Sequence, residues 1–305
     1  MKTVMYHRTT IQSLLFLGGI CFFAANNVHA QSLKSTVSAS DPYGIDFSQL
    51  SGNVDSVSEY RGDALDDMTI YSLITYDGNT ISKTVQYDDN GAVRLYTVYT
   101  YDGKNQLTSI TGTDRNNAQR WKYQYTYDSS GKQTEEKSLD ASNMLEWRVE
   151  SQYTASGKLK KRITYDAGDN ITLTETFQYN DRGFISADIT QYPDGKLLKR
   201  IIYTYTKGGH IAQEDHYDST GFFERIGYSY TEGGDIVSFS NISKDYSINS
   251  RTTLKYGTQG KITTQTITAK DKSVTSIQYV YDERGNWIWK YDNKMYALRK
   301  IVYEE

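Results

Sequence analysis

The sequence predicts an all-β protein, a long antiparallel β-meander of about 17–18 short strands, made of two-strand repeats of about 26 residues in a single curved, twisted or shell-like sheet. Three observations carry this reading. Tyrosines recur at Tyr101, Tyr127, Tyr153, Tyr179, Tyr205, Tyr230, Tyr256 and Tyr281, in steps of 25 or 26 residues. A second series interleaves at Tyr87, Thr113, Leu139, Tyr165, Tyr192, Tyr217, Ser243 and Ala269. Between these marks polar and apolar residues alternate with period two, and just after them stand Asp, Asn and Gly.

Residues 1–30 read as a secretory signal: Lys2, His7 and Arg8 precede the uncharged apolar run from Ile11 to Ala25, and Val28-His29-Ala30 offers a cleavage site. That run is shorter than the roughly 20 residues a membrane-spanning helix needs, so removal is expected and no transmembrane span after it. Cys21, the one cysteine, lies inside this segment. Ile20 precedes it where a lipid-attachment site wants a small residue, and the mature chain is expected to have no disulfide. Residues 31–44 are small, polar and aperiodic and read as a flexible lead. The repeat domain then occupies 45–305.

Within that domain the turns explain themselves. In Tyr76-Asp77-Gly78-Asn79, Tyr127-Asp128-Ser129-Ser130-Gly131 and Tyr281-Asp282-Glu283-Arg284-Gly285, the Asp can bond backbone two residues on, and the Gly accepts a positive φ. Between turns, Trp121, Tyr123, Tyr125 and Tyr127 share one face, against Arg120, Lys122, Gln124 and Thr126 on the other. About 13 residues per strand and turn leave no room for a crossover helix, so neighbours run antiparallel. Residues 132–138 carry nothing apolar on either face, which points to an open sheet wetted from both sides. A lipid-facing barrel is disfavoured because Glu175, Lys199, Glu224 and Arg299 fall on the same alternation as Phe177, Tyr203, Tyr228 and Ile301.

Composition bounds the function classes. The chain has 28 tyrosines against 9 phenylalanines, so its surfaces are half wet: a Tyr ring buries, while its hydroxyl wants a partner. Only two prolines occur, so almost nothing breaks strand pairing. The formal charge is −3 with no basic tract, and nucleic acid is not an expected partner.

The phrases Tyr99-Thr100-Tyr101-Asp102-Gly103, Tyr125-Thr126-Tyr127-Asp128-Ser129-Ser130-Gly131 and Tyr279-Val280-Tyr281-Asp282-Glu283-Arg284-Gly285-Asn286-Trp287 resemble YD repeats of the RHS type. With the opening Leu50-Ser51-Gly52-Asn53-Val54-Asp55-Ser56-Val57, they resemble secreted YD-repeat proteins of Bacteroidetes, many of them domains of unknown function. The resemblance implies a β-sheet that wraps into a shell or carries surface contacts. Thr113, Leu139, Ser243 and Ala269 stand where that pattern has Tyr.

Chemistry is sparse. The mature chain keeps His210 and His216; with Glu214 they share a face, but only Glu214 and His216 could approach one ion, and neither a metal nor a cofactor is expected. Glu135-Glu136 and Glu214-Asp215 are sequential, hence on opposite faces, and converge with other carboxylates only if another strand supplies them. No catalytic residue is assigned. The aromatic ladder is the feature with functional reach. Trp121 and Trp147, one repeat apart, should project from the same face about 10 Å apart, beside Tyr123 and Tyr125. Trp287 and Trp289 read as a second same-face pair. Such rings either cover the sheet by packing on one another or present flat faces to sugar rings or a protein partner. The expectation is an exported, non-enzymatic binding or scaffold protein for a protein or surface glycan, in the periplasm, at the cell surface or outside the cell. The alternatives are a polysaccharide-acting enzyme and a self-assembling envelope protein with exposed edge strands.

Overall fold

The computed structural model describes residues 50–257 and 260–304; the stretches read as a signal, 1–30, and as a flexible lead, 31–44, lie outside the described residues. The strands in chain order are β1 (Val54–Gly62), β2 (Thr69–Asp77), β3 (Thr80–Tyr87), β4 (Val93–Tyr101), β5 (Leu107–Thr113), β6 (Gln119–Tyr127), β7 (Gln133–Asp140), β8 (Leu145–Tyr153), β9 (Leu159–Asp166) and β10 (Ile171–Tyr179). The second half continues with β11 (Ile185–Gln191), β12 (Leu197–Tyr205), β13 (Ile211–Asp218), β14 (Gly221–Tyr230), β15 (Ile236–Ser243), β16 (Ile248–Tyr256), β17 (Ile262–Ala269), β18 (Val274–Tyr281), β19 (Trp287–Tyr291) and β20 (Tyr296–Tyr303).

The fold class is as the alternation predicts, with 20 strands in place of 17–18. One strand the turn signature does not announce is β20: the β19–β20 turn has no glycine, and Asn293 takes the positive φ of 71°. Each strand pairs antiparallel with its sequence neighbours, and β1 also pairs with β20, from Val54↔Tyr303 to Gly62↔Tyr296. The meander therefore closes into a barrel. Twenty strands spaced about 4.8 Å apart give a perimeter of about 96 Å. Closure pairs both end strands, which removes the exposed edges that sheet-edge self-assembly would use.

Turn chemistry recurs round the barrel. Asp88, Asp102, Asp114, Asp128, Asp140 and Asp166 each accept from backbone N–H groups two and four residues on. Where glycine is missing from the left-handed position, Asn105, Asn117 and Asn143 occupy it at φ 59–62°.

The regular tyrosine series has a backbone cause. All eight, from Tyr101 to Tyr281, end an even-numbered strand immediately after a register shift. The shift turns the strand end away from its preceding neighbour, whose ladder stops two residues short of that neighbour's start, as at Ser109↔Gln124 in β5–β6. Leu107 then has no N–H opposite its carbonyl, and the Tyr127 hydroxyl donates to it at 2.8 Å. The other seven hydroxyls donate to Ile81, Gln133, Leu159, Ile185, Ile211, Ile236 and Ile262 at 2.6–2.9 Å. Phe cannot do this, which accounts for eight of the 28 tyrosines. At the opposite rim the tyrosines act as ring platforms: Arg148 lies 3.8 Å over Tyr165, and Arg200 4.4 Å over Tyr217. That role does not satisfy a backbone group, so Thr113, Leu139, Ser243 and Ala269 can replace Tyr there.

Rows of opposed residues define two faces. One carries Tyr125, Glu136, Val149 and Thr164, and farther round Asp188, Ile201, His216 and Glu224. It holds most of the buried side chains, and closure turns it inward; the other shows Val98, Thr100, Thr126, Gln152, Thr204 and Lys255 to solvent. The outer face carries the ion pairs Lys137–Glu135 and Arg225–Asp215, at 2.7 and 2.6 Å. Among the described residues, charged side chains such as Arg120, Lys122, Arg148 and Glu150 interrupt the outer face.

The polar strand β7 corrects an expectation. It is not wetted from both sides: Glu136 and Ser138 are buried. Their flanking neighbours are Tyr123, Tyr125, Trp147 and Val149, three of them large rings that stand beside the polar side chains. Ser138 donates to Glu146 at 2.8 Å, and the Arg162 guanidinium lies 3.7 Å from Glu136.

The closing seam is held by side chains far apart in sequence. Arg299 Nε donates to Glu59 at 3.2 Å, Arg61 reaches the same carboxylate at 2.7 Å, and the Arg299 guanidinium lies 3.7 Å over the Trp287 ring. Asn286 accepts from Ser51 N–H at 2.7 Å and donates to the Ser51 carbonyl at 2.9 Å and to the Tyr303 hydroxyl at 2.8 Å. Tyr303 in turn donates to Asp282.

Candidate functional site

On the inner wall Trp121, Tyr123 and Trp147 form a continuous aromatic run. The ring centroids are 5.2 Å apart for Trp121–Tyr123 and 6.0 Å for Tyr123–Trp147, both tilted by about 40°. The two tryptophans share a face, as the repeat spacing predicts, and Tyr123 bridges them. Gly112 of β5 lies directly across from Trp121, and a Cβ there would sit 2.2 Å from the indole. The missing side chain is what lets the indole lie on the strand. Tyr125 is buried at 7% exposure beside Glu136, so it supports the run and does not present a free face.

Trp287 and Trp289 are not a same-face pair. Val280 pairs with Trp289, but Tyr281 pairs with Trp287, so an extra residue stands in β19 between them. Trp287 turns inward, buried under Arg299 with the Lys290 ammonium 4.8 Å from its ring. Trp289 lies in the outer row Val280–Trp289–Leu298–Tyr60 and packs with Tyr291 and Tyr296. Trp287 is thus a seam residue, and the two indoles lie on opposite faces of the sheet.

Next to the aromatic run lies a charged string that sequence reasoning missed. Arg162 of β9 stands between Glu136, at 3.7 Å, and Glu175 of β10, at 3.5 Å. Glu175 and Asp188 of β11 interact directly, and Lys199 of β12 lies 3.8 Å from Asp188 Oδ2. Burial, and for Glu175 the neighbouring Asp188, push both carboxyls above the ordinary carboxylate range, while Lys199 and Arg162 pull in the other direction. The signal was present in the sequence: the two acids are 13 residues apart, half a repeat, which places them on adjacent strands of a hairpin.

Raised carboxyl pKa values mean that the folded chain binds more protons than the unfolded one. This contribution is most favourable at low pH and is lost as pH rises from the unfolded carboxylate value through the raised folded one. Asp188→Asn is therefore expected to raise the melting temperature at pH 8 more than at pH 4, as measured by circular dichroism. An equal shift at both pH values would show that the charge is not the cause.

The string continues to β13 and β14. Tyr228 donates to Glu214 Oε1 at 2.8 Å, and His216 Nε2 lies 3.2 Å from Glu214 Oε2. Burial first, then the field of Glu214, pushes the Tyr203 and Tyr228 phenols upward. His210 is separate: it precedes β13 and stacks on Tyr230 at 4.9 Å. Among the described residues, no three of His, Cys, Asp and Glu converge on a metal position. Glu135 and Glu136 take opposite faces, the first paired outward with Lys137.

No family model matches the chain, and no curated protein matches it. Among solved structures, a porin-like protein from Bacteroides uniformis ATCC 8492 is similar over 83% of this chain and 99% of its own, at 11% identity and a TM-score of 0.38. A porin-like protein from Bacteroides vulgatus ATCC 8482 is similar over 82% of this chain and 98% of its own, at 10% identity and a TM-score of 0.27. The Photorhabdus luminescens Tc holotoxin pore is similar over 77% of this chain and 18% of its own, at 13% identity and a TM-score of 0.22. These likenesses concern β-architecture alone.

Proposed function

We propose that this chain is an exported, non-enzymatic barrel of the cell envelope or its surroundings that binds a glycan on its inner wall. The observation that supports this is the Trp121–Tyr123–Trp147 run beside Glu136, Arg162 and Glu175. Flat rings stack on the apolar faces of sugars, and charged side chains next to them hydrogen-bond the hydroxyls. The resemblance to secreted YD-repeat proteins and the leading signal segment agree with an exported surface or scaffold role.

Replacing Trp121 and Trp147 by Ala together is expected to abolish retention of the chain on an envelope-glycan array, with far-UV circular dichroism unchanged. Full retention by the double variant would remove the aromatic run from the reading. Capture of a protein partner through the same two residues would transfer the role from a glycan to a polypeptide.

A further inference from the structure

We infer that the inner-wall arc from β7 to β14 recognises an ammonium group, so that the ligand carries a primary amine. This deepens the reading of the inner wall as a binding surface and rests on it for the glycan part only. The arc holds five carboxyls, Glu136, Glu175, Asp188, Glu214 and Glu224, against two permanent cations, Arg162 and Lys199.

A second observation is independent of that imbalance. Asp188 is only 8% exposed, yet its Oδ1 has no hydrogen-bond donor. Its carboxyl faces that of Glu175, which can donate across the pair only while it holds a proton; once both are ionised they are acceptors alone and neither satisfies the other. A buried acceptor left in this state is costly, and something with N–H or O–H groups belongs there. An ammonium brings three donors on one compact charge. The Glu175 side chain, 23% exposed, is the open side of the pair. Tyr203 and Tyr228 lie farther along the same face, where their rings can also hold a cation. A calcium-like ion fits poorly, because it wants six to eight oxygens and the two carboxyls supply four.

A proton is the natural competitor for the same position. The groups that face the pair are Arg162 from β9, Lys199 and Tyr203 from β12, and Glu214 from β13, with Glu136 beyond Arg162. Acidification fills the position with a proton and weakens the ammonium, so amine affinity rises with pH.

Calorimetric titration of the whole chain with spermidine, a glucosamine trimer and its N-acetylated counterpart tests this. Spermidine, charged throughout, is expected to bind about tenfold more tightly at pH 8 than at pH 5, and the glucosamine trimer about tenfold more tightly than the acetylated one at pH 6.5. Asp188→Asn should abolish both differences, and Glu175→Gln, at the less buried position, should do the same if the first variant fails to fold. Spermidine binding without any trimer binding would uphold ammonium recognition and overturn the glycan reading. Equal affinity for the two trimers together with no spermidine binding, or amine preference unchanged in Glu175→Gln, would overturn the inference.

Discussion

Replacing all eight rim tyrosines, from Tyr101 to Tyr281, by phenylalanine is expected to leave the barrel unfolded at room temperature. Each hydroxyl donates to a carbonyl that its strand neighbour cannot reach, at 2.6–2.9 Å. Losing one such bond costs about 1 kcal/mol, because the carbonyl keeps its desolvation without its partner. Successive sites are two strands apart, about 9.6 Å, far enough for the losses to add. The eight together remove about 8 kcal/mol, within the range of about 5–15 kcal/mol that stabilises most domains. Urea unfolding of Tyr179→Phe should show the single step of about 1 kcal/mol. Tyr217→Phe at the opposite rim, whose ring and not its hydroxyl carries the contact with Arg200, should be nearly neutral. If both substitutions behave alike, the hydroxyl ladder is not what holds the rim.

Arg299→Met is expected to destabilise the protein by about 3–5 kcal/mol, the largest effect of a single substitution. Glu59 is 2% exposed, and Arg299 and Arg61 are the guanidinium groups on its carboxylate. Removing Arg299 leaves a buried charge that the more exposed Arg61 only partly compensates, and takes the cation off Trp287. The double variant Glu59→Leu with Arg299→Met should recover most of the loss, since a buried pair exchanged for apolar groups is close to neutral. Hydrogen exchange should show the single variant fraying first along β1 and β20. Uniform loss of protection around the barrel, with no recovery in the double variant, would mean that the seam is not specially dependent on this pair.

Much of the fold was legible because its causes are local. A hairpin is specified by the few residues at its bend: Asp128 accepts from Ser130 and Lys132, and Gly131 takes a φ of 84°. Alternation assigned the faces correctly in the middle of strands, and so placed Trp121 and Trp147 on one wall. It failed at β19, where one inserted residue reverses the parity and separates Trp287 from Trp289. It also misjudged β7, because burial of Glu136 and Ser138 depends on how large the side chains on β6 and β8 are, a property of the neighbours. The charged string belongs to the same class. Glu175 and Asp188 are ordinary exposed-looking acids until a hairpin opposes their strands and Lys199 and Arg162 close in from either side.

By itself, then, the order of amino acids determined most of the strands, their antiparallel sense, the turn chemistry and the tyrosine beat, since each depends on hydrogen bonds and sterics within a few residues or one hairpin. Only the tertiary structure decided that the ribbon closes, which face becomes the inner wall and which polar groups meet there. Closure joins Glu59 to Arg299 across 240 residues of chain. It depends on how twist and bulges accumulate over twenty strands, a sum that no single repeat contains.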